Sequence, residues 1–177
     1  TAAAVFGVYF KLQSFFFMPV FGLNNSLVPI IAYNYGARNK ARIMRTVKLG
    51  CGAAVTILVL GAIVFQTMPA TLLRMFNASE DMISIGVTAL RIISLSFLLA
   101  GFCIVIGSVF QALGNGMYSL ITSVCRQLLV LLPVAYIFAR MFGLHAVWWS
   151  YPVAELASLA ASVYLLKRIY NSQLRDL

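Results

Sequence analysis

The chain has 177 residues, of which 62% are hydrophobic and 10% are charged, with a mean hydropathy of +0.95 and a net charge of +9. A soluble domain carries about 25% charged residues, and one of this length has too much surface for its volume to bury so many apolar side chains, which argues against a soluble enzyme and a disordered tail. The basic residues lie mostly at the ends of apolar runs, so they indicate contact with a membrane surface and no nucleic acid partner.

Five apolar stretches are each long enough to cross the hydrocarbon core of a bilayer, which is about 30 Å thick. As helices they run over residues 2–35, 49–70, 84–113, 117–139 and 146–168. The apolar parts of the first, third and fifth are 12–35, 92–113 and 146–166. The sequence therefore predicts an all-α polytopic membrane protein, with a bundle of about five transmembrane helices in a single membrane domain over residues 1–177.

The first span is interrupted by Pro19 and Pro29, and broken helices with polar groups near the midplane commonly line transporter cavities. At helical spacing, one face of this span carries Lys11, Ser14, Met18 and Asn25. Two interpretations stay open. The face lines a cavity, or the helix is bent for packing and Asn25 bonds to carbonyls that the prolines leave free.

The charges between the spans predict the orientation of the chain. Basic residues crowd the first loop and follow the last span; they are Arg38, Lys40, Arg42, Arg45 and Lys48, then Lys167, Arg168 and Arg175. The second loop, about 71–91, instead offers Arg74 against the acids Glu80 and Asp81. By the positive-inside rule, the first loop, the third loop (114–116) and the C-terminus are predicted to lie in the cytoplasm. Five crossings place residue 1 outside, and we expect the chain to begin within a longer protein, after a missing helix.

The third span places small residues at heptad spacing. Ser94, Gly101 and Ser108 are seven residues apart, and small side chains let helices approach closely, so this face is predicted to pack against a neighbouring helix. The three cysteines and His145 stand apart from one another, without the spacing of metal ligands. The sequence therefore predicts no metal site and no cofactor.

Arg126 in the fourth span lies about 14 Å from the inner end of its helix. It shares a helix face with Ser119, Thr122 and Ser123. The next span is antiparallel to it and carries Glu155 at a similar depth, so we expect an Arg126–Glu155 ion pair that links the two helices. The alternative is that the long arginine side chain extends to the cytoplasmic interface.

Glu155 in the fifth span is the only acidic residue within an apolar run. It lies about 16 Å from the inner end of its helix, near the midplane, and shares a face with Tyr151, Ser158 and Ser162. Intramembrane charges are costly and mark ion and substrate pathways. Glu155 is therefore either a cation or proton site or the structural partner of a buried base, and the sequence leaves both open.

Three segments resemble helix ends of the multidrug and toxic compound extrusion (MATE) family. The stretch PIIAYNYGARN over 29–39, followed by Arg42, is similar to its N-x-G-A-x-N-like segment and basic loop. The stretch FQALG over 110–114 is similar to its Q-A-x-G helix end, and residues 126–133 with 143–155 resemble its closing pair of helices. The resemblance covers nearly the whole chain, and the order and spacing of the segments carry it.

The resemblance implies an incomplete C-terminal lobe. The family has twelve helices in two six-helix lobes around a central cleft, and the five spans would be helices eight to twelve. The family's coupling carboxylates lie in the tenth helix in one branch and in the N-terminal lobe in another. The third span has no Asp or Glu, so Na⁺ or H⁺ is expected to bind outside this chain. The implied partners are the lipid bilayer, small organic cations or drugs, and the missing N-terminal lobe.

The predicted function is cation-coupled antiport that exports drugs or other amphiphilic organic cations by alternating access, with no enzymatic activity. The predicted cleft residues are Lys11, Ser14, Asn25, Arg126 and Glu155. The alternative is a flippase of lipid-linked precursors or polysaccharides from the same wider superfamily, whose cleft would need several unpaired bases for pyrophosphate. We expect no transport by this chain alone, because half a cleft cannot alternate.

Overall fold

The structure is a computed structural model that describes residues 2–177. Within these residues every regular element is a helix, so the all-α prediction is confirmed. The helices are α1 (Ala2–Gly36), α2 (Lys40–Thr67), α3 (Pro69–Arg74), α4 (Glu80–Ser94), α5 (Phe97–Ala112), α6 (Gly116–Val124), α7 (Leu132–Phe142), α8 (Leu144–Val147) and α9 (Ser150–Ile169), with π-helical segments at Cys125–Leu131 and Tyr170–Leu174. Residue 1, predicted to lie outside the membrane, is not among the described residues.

Three helical stretches are long and apolar enough to cross a membrane, and a fourth is if α4 and α5 count as one span. The three are Ala3–Gly36, Lys40–Thr67 and Gly116–Phe142, the last of which runs through the first π-helical segment. Helices α4 and α5 meet at a bend of 48°. Helix α9 forms at the position of the predicted fifth span, but its serines, its glutamate and its basic end make it less apolar than the other stretches.

The structure corrects the predicted second loop, about 71–91, because helices α3 and α4 occupy much of it. Pro69 begins α3, where its missing N–H costs nothing, and Arg74 ends it. Helix α4 starts at Glu80 rather than near residue 84, because the Ser79 side chain accepts a hydrogen bond from the Met82 N–H and caps it. Only residues 75–79 connect the two helices.

Helices α1, α2 and α5 form the centre of the bundle. One aromatic ring from each of these helices packs at Phe97, whose ring centroid lies 5.3 Å from that of Phe17 and 5.2 Å from that of Phe65. The three small residues of the third span, Ser94, Gly101 and Ser108, are all buried. A Cβ atom placed on Gly101 would lie 3.3 Å from the backbone of Ala54, so the predicted close packing is confirmed between α5 and α2.

The bend between α4 and α5 is held by a side chain of α2. The Leu95 N–H bonds to the Ile92 carbonyl, so the Arg91 carbonyl lacks its usual helical donor. Two side chains supply donors instead. The Ser94 hydroxyl donates to the Arg91 carbonyl at 2.9 Å, and the Gln66 Nε2 donates to the same carbonyl at 2.6 Å and to the Ser94 hydroxyl at 2.8 Å. The bend therefore has a hydrogen-bonding cause, since the segment carries neither proline nor glycine.

Replacing Gln66 with Leu is expected to lower the thermal unfolding midpoint of the complete protein, because two hydrogen bonds are lost and a carbonyl loses a donor, at a cost of about 1–2 kcal/mol. The control is Thr67→Val, since the Thr67 hydroxyl bonds only to the Ile63 carbonyl of its own helix. Equal midpoints for the two variants would show that Gln66 does not hold the bend.

Candidate functional site

A polar cavity of about 390 Å³ lies between α1, α5, the α6–α7 stretch and α9. Most of the side chains that line it carry a hydroxyl, amide or charged group. They are Tyr9, Gln13, Asn24, Ser96, Gln111, Ser119, Thr122, Ser123, Arg126, Gln127, Tyr151, Glu155, Ser158 and Ser162. So many polar groups inside a hydrophobic bundle indicate a cavity that holds water, ions or a polar ligand.

The π-helical segment Cys125–Leu131 carries Arg126 on the cavity wall. Pro133 follows two residues after the segment and has no N–H, so the Leu129 carbonyl lacks its usual α-helical donor. A wider π-helical turn is one way for a helix to accommodate such a break, and these turns occur often at functional sites. The proline thus gives a local reason for the irregular backbone beside Arg126.

Arg126 and Glu155 form the predicted ion pair. The Arg126 Nη1 lies 3.3 Å from the Glu155 Oε1, and the exposed fractions of the two side chains are 33% and 12%. The pair joins the π-helical segment to α9, and the arginine does not extend away to the interface. Because opposite charges in contact stabilise each other in a poorly solvated site, the pair offsets part of the cost of placing two charged groups within the bundle.

Two buried oxygen atoms of the lining residues have no hydrogen-bond partner within residues 2–177. One is Glu155 Oε2, the carboxylate oxygen that Arg126 does not contact, and the other is Asn24 Oδ1. Buried acceptors without partners are rare because they are costly, and each calls for a water, a cation or a donor from a ligand. The cavity can therefore accept positive charge or hydrogen-bond donors at these atoms.

Aromatic rings of α1 and α9 form part of the cavity wall. The Tyr9 ring centroid lies 5.5 Å from that of Phe10 and 5.8 Å from that of Tyr151, and all three rings line the cavity. Aromatic faces attract cations. No group of three or more His, Cys, Asp or Glu residues within residues 2–177 could hold a metal ion.

The structure brings together two of the five residues predicted for the cleft. Arg126 and Glu155 line the cavity, whereas Lys11, Ser14 and Asn25 lie exposed on another face of α1. The Lys11 ammonium is 5.9 Å from the centroid of the Phe76 ring, and the Ser14 hydroxyl donates to the Phe10 carbonyl at 2.7 Å. Whether these three line a cleft with another part of the protein stays a prediction.

Gln13 and Asn24 of α1 line the cavity, although the sequence pattern did not single them out as site residues. Each is the chain neighbour of a selected residue, and one residue along a helix turns the side chain by about 100°. The spacing of Gln13, Phe17 and Asn24 (i, i+4 and i+11) is also that of a single face. The spacing therefore shows that α1 has a second regular face, but it does not tell which of the two faces lines a cavity.

Sequence comparison relates the chain to multidrug exporters. The family model described as MatE matches residues 1–137. "Multidrug export protein MepA" of Staphylococcus aureus (strain MSSA476) is 32% identical over 169 residues, which cover 94% of this chain and 37% of the relative. The protein of the same name from Staphylococcus haemolyticus (strain JCSC1435) is 26% identical over 170 residues. The chain thus spans about 37% of the length of these curated relatives.

Solved structures of multidrug transporters share the fold of this chain. The MATE multidrug transporter DinF-BH matches with a TM-score of 0.84 and 36% identity, over 94% of this chain and 37% of that one. An outward-facing MATE family transporter of the MOP superfamily matches with a TM-score of 0.90 over 96% of this chain and 39% of that one. At 20% identity, this second match shows the fold alone.

Proposed function

The chain belongs to the MatE family, and from that premise we propose that it forms one lobe of an antiporter that exports amphiphilic organic cations by alternating access, coupled to Na⁺ or H⁺. The observation that carries the proposal is the Glu155 carboxylate, which lies in a polar cavity, is held by Arg126 through one oxygen and keeps the other oxygen without a partner. That free oxygen is where positive charge is stabilised.

The ion pair gives the cavity a means of releasing what it binds. A cationic group at Glu155 Oε2 competes with Arg126 for the same carboxylate, so binding weakens the pair and release restores it. The rings of Tyr9, Phe10 and Tyr151 offer apolar area and attractive faces to an organic cation. The arrangement supports exchange of positively charged species better than permanent binding of one of them.

A second lobe is part of the proposal, because the chain spans 37% of the length of its relatives. Lys11, Ser14 and Asn25 share the exposed side of α1, and polar groups that face hydrocarbon are costly. We therefore assign this side of α1 to the contact with the other lobe and the cleft between them. Export by the complete protein needs both lobes, since alternating access moves one against the other.

Contacts of the C-terminal segment support five crossings. The Lys40 Nζ donates to the Arg175 carbonyl at 3.2 Å and lies 4.8 Å from the centroid of the Tyr170 ring. The start of α2 and the end of the chain therefore lie at the same end of the bundle, on one side of the membrane. An even number of crossings must separate them, and α2, the bent pair α4–α5, the α6–α7 stretch and α9 make four.

The contact of Lys40 with the C-terminal segment also supports an orientation of the protein in the membrane. The end of the bundle where this contact lies carries most of the basic residues. We therefore place that end, with the C-terminus, in the cytoplasm of a bacterial cell whose inner membrane the protein crosses. A flippase for pyrophosphate-linked substrates is not proposed. Within residues 2–177, Arg126 is the only basic side chain that lines the cavity, and it is already paired with Glu155.

The test is efflux of a fluorescent organic cation from a drug-sensitive bacterium that expresses the complete gene. We expect faster efflux than in cells with the empty vector, and loss of that efflux when an ionophore collapses either the Na⁺ or the proton gradient. The gradient whose collapse stops efflux identifies the coupling ion. Absence of efflux at normal levels of protein in the membrane would contradict the proposal.

A further inference from the structure

One side of α2 is exposed along its whole length and changes in character from one end to the other. Its first turns carry the basic residues Arg42, Arg45 and Lys48, and its remainder carries apolar or small residues, among them Leu49, Gly52 and Leu60. Steps of three, four and seven residues keep these positions on one side of the helix. We call this side the α2 outer face.

The basic end of the α2 outer face is not neutralised by the protein. Arg126–Glu155 is the single ion pair found within residues 2–177. Lys167, Arg168 and Arg175 lie at the same end of the bundle, where Lys40 contacts the C-terminal segment. Asp176 is the one acid of that segment. Like charges gathered at one end repel one another, so an anion bound among them stabilises the fold.

The remainder of the α2 outer face suits hydrocarbon. Leu49 and Leu60 are 65% and 58% exposed. The Thr56 hydroxyl donates to the Gly52 carbonyl at 2.7 Å, so it needs no outside partner. A Cβ atom placed on Gly52 would meet nothing within 4 Å, so this side of the helix is open there and no other part of the described chain covers it.

We propose that the α2 outer face binds an anionic phospholipid, with its phosphate at Arg42, Arg45 and Lys48 and an acyl chain along Leu49, Gly52 and Leu60. Leu60 lies fifteen residues after Arg45, which is a rise of about 22 Å along the helix and exceeds the roughly 15 Å depth of one leaflet of the hydrocarbon core. The face is therefore long enough for a whole acyl chain. A nucleic acid or free phosphate would leave its apolar part uncovered.

The experiment measures which lipids stay bound to the complete protein. The protein is reconstituted into an equimolar mixture of phosphatidylcholine and phosphatidylglycerol, purified in mild detergent and analysed for bound lipid by mass spectrometry. Wild type is expected to retain phosphatidylglycerol in excess. The triple variant Arg42→Gln/Arg45→Gln/Lys48→Gln is expected to lose the excess, because each base near an anionic headgroup strengthens binding about fivefold.

The matched control removes three bases elsewhere, with Arg74→Gln/Arg91→Gln/Arg140→Gln, and is expected to keep the excess. Equal losses in both triple variants, or none in either, would overturn the proposal, as would wild type that retains both lipids equally.

Two measurements need wild type alone, so they stand even if a variant does not fold. Raising the salt concentration before purification should release phosphatidylglycerol, whereas inorganic phosphate at equal ionic strength should release no more. Retention at high salt, or specific displacement by phosphate, would also contradict a lipid site.

Discussion

Replacing Glu155 with Gln in the complete protein is expected to abolish efflux of an organic cation. Gln has the shape of Glu but no charge, so the cavity loses the group that stabilises positive charge. Arg126 then remains in the cavity as an unpaired cation and repels the organic cation. The measurement is efflux of a fluorescent cation, normalised to the amount of protein in the membrane. Glu80→Gln is the control, because Glu80 is an exposed acid in the first turn of α4, and it is expected to keep efflux.

The double variant Arg126→Gln/Glu155→Gln separates a functional carboxylate from a structural one. The single variant leaves a largely buried cation without its partner, which costs about 2–3 kcal/mol of unfolding free energy for a pair whose arginine is a third exposed. Removing both charges removes that penalty, so the double variant should unfold at nearly the wild-type temperature. Efflux should stay lost. Recovery of efflux together with stability would show that the pair only holds the helices together.

The two charged residues could be paired from the sequence because depth in a membrane follows directly from residue number. Each residue of a helix rises about 1.5 Å, so Arg126 and Glu155 could be placed at one level before their facing was known. Membrane spans also restrict the choice of partners, since so few ionisable residues lie within them.

The cavity side of α1 could not be chosen in this way. The helix has two faces at regular spacing, one with Ser14 and Asn25 and another with Gln13 and Asn24. Which of them lines the cavity depends on how α1 packs against α2 and α5, and helix periodicity carries no information about that rotation. The bend after Ser94 was missed for a similar reason, because Gln66 on another helix holds it.

Some glycines of the bundle touch neighbouring helices and others face open space, so enlarging them is expected to have different effects on stability. A Cβ atom on Gly101 of α5 would lie 3.1 Å from a methyl group of Leu58 and 3.3 Å from the backbone of Ala54, both on α2. A flexible side chain can move aside, but helix backbone cannot. A larger residue at position 101 therefore forces α2 and α5 apart, and with them Ala100 and Cys103 of the cavity wall.

Replacing Gly101 with Leu is expected to lower the free energy of unfolding of the complete protein by about 2–3 kcal/mol through overpacking, even after the gain in helix propensity of somewhat under 1 kcal/mol. Gly52→Leu on α2 is the matched control, because it gains the same propensity and meets nothing within 4 Å, so its unfolding midpoint should be equal to or above that of wild type. Thermal unfolding of the two variants in one detergent, after bound lipid has been removed, makes the comparison. If both unfold at the same temperature, the close approach of α2 and α5 does not limit the size of residue 101, and the bundle tolerates a wider spacing than its glycine contacts indicate.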